Sequence, residues 1–208
     1  MELPPTPLEE EQPGACMSYR EVETILHELG HCVHALVAKQ RYDRFAGIDS
    51  VPMDFVGSLS KLLELWLTDE RWFSFAVNNK GGRMPKAVLR QLIAANSIAK
   101  AMDKRSPLAI AKYCLELHAI SPNDFADTTS VVAKACRPYH NFDLVAGTAP
   151  QLSLWHLASD AYGSRVYSYL LSEVICHDIF AEFKKTGDLM DKATVARCRR
   201  VVLEKGGS

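Results

Sequence analysis

Apolar side chains recur at helical spacing along most of the chain. Val22, Ile25, Leu26, Leu29, Val33 and Leu36 form one such stripe and predict a helix from about Ser18 to Lys39. Ser18, with Glu21 three residues later, has the form of a capping box that would start it. An irregular stretch over roughly 40–55 contains Gly47 and Pro52. Leu59, Leu62, Leu63 and Trp66 then predict a second helix from Ser58 to about Leu67. Asn78-Asn79-Lys80-Gly81-Gly82 reads as a loop. Two more helices are predicted over 84–102 and 107–118, the latter with Ser106 as N-cap and Pro107 at the first helical position. Ser121-Pro122 opens another that ends by Pro138, and the last third offers helices over 162–185 and about 191–203. No strong alternating strand pattern appears, so the predicted fold class is mainly α.

Composition narrows the classes of function. With 208 residues the chain can build a real core. An apolar content of 48% and a charged content of 24% are those of an ordinary globular protein. A formal net charge of -1, without a long run of Lys or Arg, argues against a nucleic-acid partner. No stretch approaches a membrane span, so no membrane partner is expected. The Pro- and Glu-rich start lacks the character of a signal or import sequence. Residues 1–17 read as a disordered leader, residues 18–208 as one folded unit, and the expected compartment is cytoplasmic. Six scattered cysteines without a C-x-x-C pair read as reduced and mostly buried thiols.

The chemistry concentrates at His27-Glu28-Leu29-Gly30-His31, an H-E-x-x-H sequence on the first predicted helix. Positions four apart share a helix face, so His27 and His31 can address one metal ion. Glu28 stands where a carboxylate could take a proton from water activated by that metal. A zinc hydrolase wants a third protein ligand. Val37 stands where the metzincin pattern requires a His, which excludes that subclass. Cys32 adjoins His31, but the next residue on a helix points well away, and Cys32 is not read as a ligand. His34 reads as a surface or supporting residue, and His118, His140 and His177 likewise. Tyr167 reads as packing.

Several segments in order resemble the thimet oligopeptidase and mitochondrial intermediate peptidase family of zinc metallopeptidases. Glu21-Val22-Glu23-Thr24 running into His27–His31 is similar to that family's zinc-helix motif. Arg44-Phe45-Ala46-Gly47, Asp54-Phe55-Val56 and Leu63-Glu64-Leu65-Trp66 resemble the segments that follow it. Ala111–His118, His156-Leu157, Tyr162–Leu170 and the terminal Leu203–Ser208 resemble later motifs. The resemblance implies a zincin-like helical catalytic domain, here its C-terminal part, holding one Zn2+ through His27 and His31. It implies Glu28 as general base, and His156, Tyr162 and Tyr169 as residues that bind substrate and stabilise the oxyanion. The implied activity is hydrolysis of short peptides by a metalloendopeptidase. Family members also work in mitochondria. They are several times longer, which implies an N-terminal domain or a partner chain that completes the cleft.

Two departures from that pattern stand out. Gly57 occupies the position of the third zinc ligand, a Glu in the family, and Asp54 is the nearby carboxylate substitute. Glu64 lies seven residues beyond Gly57, about 10 Å along a helix axis, too far to reach the same ion. Val166 stands where the family carries a Tyr, and loss of one oxyanion donor commonly costs about 100-fold in rate. The competing expectation is therefore a catalytically silent relative that binds peptides or proteins.

Overall fold

The computed structural model describes residues 16–206 except 78–80, 99 and 141–142. Most of the leader, the first three residues of the predicted Asn-Asn-Lys-Gly-Gly loop and the last two residues lie outside the described residues. Among the described residues the structure is helical with no strand, as the periodicity predicts. One isolated antiparallel bridge joins Val77 and Arg83 across the loop.

Helix α1 spans Tyr19–Val37. Its capping box forms as the sequence predicts. Ser18 Oγ accepts from the Glu21 N–H at 3.3 Å, and the Glu21 carboxylate accepts from the Ser18 N–H at 2.6 Å, so two otherwise unpaired amides are satisfied. Helix α2 spans Met53–Glu64 and tightens into a 3-10 turn at Leu65–Thr68. It starts five residues earlier than the apolar stripe predicts. Pro52 is its N-cap, and proline lacks the amide that a helix start leaves unpaired anyway. Asp54 and Phe55, read as the end of the irregular stretch, are therefore helical, and Val56 and Gly57 lie on the same helix.

The remaining helices are α3 (Lys86–Ile98), α4 (Lys100–Asp103), α5 (Arg105–His118), α6 (Thr128–Cys136), α7 (Ser168–Lys185) and α8 (Lys192–Val201). Helix α5 begins at Arg105, so Ser106 is not its cap and Pro107 sits inside the first turn. Ser121-Pro122 forms a turn closed by the Asp124 N–H on the Ser121 carbonyl. The helix predicted there starts later, at Thr128, where the Asp127 carboxylate caps the Thr129 amide at 3.0 Å. The predicted helix over 162–185 is split, with a 3-10 turn at Gly163–Tyr167 leading into α7.

Helix α2 lies between α1 and α7. On the α1 side, Gly30 meets the backbone of Leu59 and Ser60; a Cβ there would lie 2.4 Å from Ser60 Cα. On the α7 side, Leu59, Leu62 and Trp66 pack against Cys176, Phe180 and Phe183. The Trp66 ring stands edge to face with Phe180 at 5.6 Å and with Phe183 at 5.0 Å. Such pairs add about 0.5–1.5 kcal/mol each beyond their burial. A second core joins Ala109, Tyr113 and Cys114 of α5, Val132, Ala135 and Cys136 of α6, and Val166. Cys114, Cys136 and Cys176 are buried, whereas Cys16 and Cys32 are exposed. No helix among the described residues is long and apolar enough to cross a membrane.

Candidate metal and peptide site

The first cluster forms at the crossing of α1 and α2. His27 and His31 share one face of α1, with ring centroids 5.0 Å apart and planes at 80°. Glu28, between them in sequence, is exposed. Burial, then the neighbouring His27, pulls the pKa of His31 below its ordinary value, while Glu28 opposes the shift. That direction favours the neutral imidazole, the form that binds metals. His31 Nδ1 is buried and has no hydrogen-bond partner.

Glu64 meets the histidine helix across the α1–α2 crossing. The close approach at Gly30 and Ser60 sets an antiparallel register between the two helices, with Phe55 beside His34 at one end. At the other end Glu64 Oε1 lies 2.5 Å from His27 Nδ1. The carboxylate judged too distant for the metal instead contacts the first candidate ligand itself. Sequence distance along α2 concealed this, because the neighbouring helix supplies the contact. Glu23, one turn before His27 on the same face, has its pKa raised by burial and then by the charge of Glu64.

Gly57 stands two helical turns before Glu64 and so shares its face. A Cβ at Gly57 would meet only Ser172 of α7, with its Cβ and Oγ at 3.3 Å. The Ser172 hydroxyl donates to the Asp54 carbonyl at 2.7 Å and ties α7 to the first turn of α2. Among the described residues, no three His, Cys, Asp or Glu side chains stand close enough together to hold a metal ion. Asp54, the nearby carboxylate, therefore does not join the histidine pair.

His34 is not a surface residue. It is fully buried against Phe55, and neither ring nitrogen has a hydrogen-bond partner. Cys32 faces solvent. His118 Nδ1 contacts the Cys114 carbonyl at 2.7 Å, and His177 lies 3.8 Å from Glu173. His140 borders a hollow at the end of α6 with Lys134, Arg137 and Asp143, which none of the predicted site residues lines.

The second cluster gathers the other three predicted residues. His156 sits on a 3-10 turn at Trp155–Ala158, Tyr162 precedes the turn at Gly163–Tyr167, and Tyr169 lies in the first turn of α7. His156 Nε2 is 3.3 Å from the Tyr169 hydroxyl. The Tyr162 and Tyr169 rings are nearly parallel at 5.8 Å, and His156 stands perpendicular to both. Burial, then the hydroxyl contact with Tyr162, raises the pKa of Tyr169. The phenol therefore keeps its proton at neutral pH and can donate it in a hydrogen bond. Trp155, which the sequence reading left aside, stacks on His156 at 4.0 Å and is 62% exposed. Its adjacency to His156 was the available signal. Tyr167 is 38% exposed and does not belong to the core.

Val166 is buried in the α5–α6 core with Tyr113 and Val132, and Tyr162 of the aromatic cluster packs against that same core.

Comparison with known proteins adds an independent line. A family profile described as Peptidase family M3 matches residues 7–208. The thimet-like oligopeptidase of Dictyostelium discoideum is 31% identical over 199 residues, covering 92% of this chain and 29% of that protein. Oligopeptidase A of Haemophilus influenzae is 29% identical over 200 residues, covering 93% and 29%. The mitochondrial intermediate peptidase of Mus musculus is 29% identical over 188 residues, covering 89% and 26%. The chain thus spans less than a third of the length of these relatives.

Proposed function

The chain belongs to peptidase family M3, and from that premise we propose that it carries the hydrolytic helix and part of the peptide-binding surface of a zinc metalloendopeptidase. One observation carries this reading: two imidazoles side by side on one helix face, with Glu28 adjoining them. His27 and His31 fit as two nitrogen donors for one zinc ion, and the unpaired His31 Nδ1 agrees with a ring whose polar partner is not protein. When bound, zinc supplies Lewis-acid activation of water at neutral pH.

The chain's own residues would divide the remaining work. Glu28 accepts a proton from the attacking water and returns it to the leaving amine. Tyr169, protonated and beside His156, donates to the oxygen where negative charge develops. Tyr162 holds Tyr169 by ring and hydroxyl contact. The substrates in this reading are short peptides, and a further domain or partner chain closes the cleft.

A second reading is favoured by a specific observation. Gly57 offers no ligand, and the described residues provide no third donor. On that ground the chain would be a catalytically silent relative that binds peptides at the aromatic cluster.

Zinc content of the purified chain and cleavage of a quenched fluorescent peptide test both. The enzyme reading expects about one zinc per chain and cleavage that a chelator abolishes. No metal and no cleavage refutes it. Metal uptake only after Gly57→Glu, with peptide binding already present in the parent chain, would establish the silent relative.

A further inference from the structure

We infer that Glu64 is the positioning residue for His27: its carboxylate accepts the Nδ1 proton, fixes one tautomer and leaves Nε2 as the lone pair offered to a cation. The inference rests on the proposed metal-binding reading only for its functional meaning; the tautomer itself belongs to the metal-free protein.

The contact is built by the fold. His27 and Glu64 are 37 residues apart and meet because the α1–α2 crossing brings the last residue of α2 beside the third turn of α1. Gly30 permits that crossing by having no Cβ where the Ser60 backbone passes. Both side chains are about three-quarters buried, at 31% and 23% exposure, which limits competition from water for the 2.5 Å contact. A carboxylate on one ring nitrogen selects the tautomer, orients the ring and raises the basicity of the other nitrogen. The two histidines are unequal in this respect. His31 Nδ1 is buried with no partner, so the support that Glu64 gives His27 has no counterpart on His31. With Gly57 contributing no side chain, pre-orientation of His27 bears a larger share of any metal affinity.

The test uses the full chain with 15N-labelled histidine, metal-free, in mildly alkaline buffer where an ordinary imidazole is neutral. Long-range 1H–15N correlation reads the tautomer of His27, and cobalt(II) titration reads metal affinity. Wild type should show His27 protonated at Nδ1. Glu64→Ala should yield a mixture of tautomers and weaken cobalt binding by about 10–100-fold. Glu64→Gln keeps an acceptor oxygen in place and should retain the tautomer with a smaller affinity loss. Glu64→Asp keeps the charge but withdraws it by one methylene, and should behave like Ala. An unchanged His27 tautomer in Glu64→Ala or Glu64→Asp overturns the inference. If Ala prevents folding, the Gln and Asp pair decides. A wild-type chain that binds no cobalt removes the metal reading alone, and the tautomer measurement still decides the role of Glu64.

Discussion

Replacing Gly30 with Ala should destabilise this protein, although the same change in an exposed helix would stabilise it. The added methyl would lie 2.4 Å from Ser60 Cα, 2.7 Å from the Leu59 carbonyl oxygen and 2.9 Å from Ser60 N. All three neighbours are backbone, so no side chain can rotate away. Ordinary contact begins near 3.4 Å, and α1 and α2 would have to separate by about 1 Å. Overpacking of this kind costs about 1–3 kcal/mol, and more where backbone must move. Against it stands the gain in helix propensity of about 1 kcal/mol for Ala over Gly. Because backbone must move, the cost falls at the upper end of that range and the steric term wins, with a net loss of about 2 kcal/mol, or roughly 4–8 °C in Tm for a domain of this size. Gly57→Ala is the internal control. Its methyl meets only the Ser172 side chain at 3.3 Å, which can yield by a few tenths of an ångström, so the propensity gain should survive. Urea unfolding followed by far-ultraviolet circular dichroism ranks the two variants. If Gly30→Ala proves as stable as Gly57→Ala, the close helix crossing is wrong, and with it the register that brings Glu64 to His27.

Two further predictions address the core and the histidines. Val166→Tyr should lower stability by about 1–3 kcal/mol through overpacking, since position 166 is buried in the core that includes Tyr113 and Val132; a thermal melt at or above wild type would show that the core can admit the larger ring. Burial and the nearby His31 hold the pKa of His34 below its ordinary value. The folded chain keeps that ring neutral, whereas the unfolded chain takes up a proton below about pH 6.5. The contribution is therefore complete above that pH and declines as pH falls through it. Urea midpoints measured from neutral to mildly acidic pH should drop less steeply in His34→Leu than in wild type, and equal slopes would refute the assignment.

Much of this was legible in the sequence where local rules govern. The 3.6-residue period of Val22 to Leu36 located α1, and Ser18 with Glu21 located its start. The His27–His31 spacing brought two rings together because a helix face is a local property. His156, Tyr162 and Tyr169 were readable only as parts of a resembling motif, because two 3-10 turns and a helix start assemble them and no single period links such pieces. What remained hidden depends on packing between distant segments. The Glu64–His27 contact could not be read by counting along α2, because the partner lies across the crossing that Gly30 permits. The burial of Val166 was hidden because the turn at Gly163–Tyr167, which the sequence merged into one long helix, sets where that side chain packs. The early start of α2 was missed because Pro52 read as a break, although proline serves equally well as a beginning.

One twelve-residue segment is the shared wall of both halves of the site. Met53–Glu64 touches the histidine helix through Ser60 and Glu64, and touches the tyrosine helix through Asp54 and Gly57. A shift of that one segment would carry the two flanking helices, one bearing His27 and the other Tyr169, along with it.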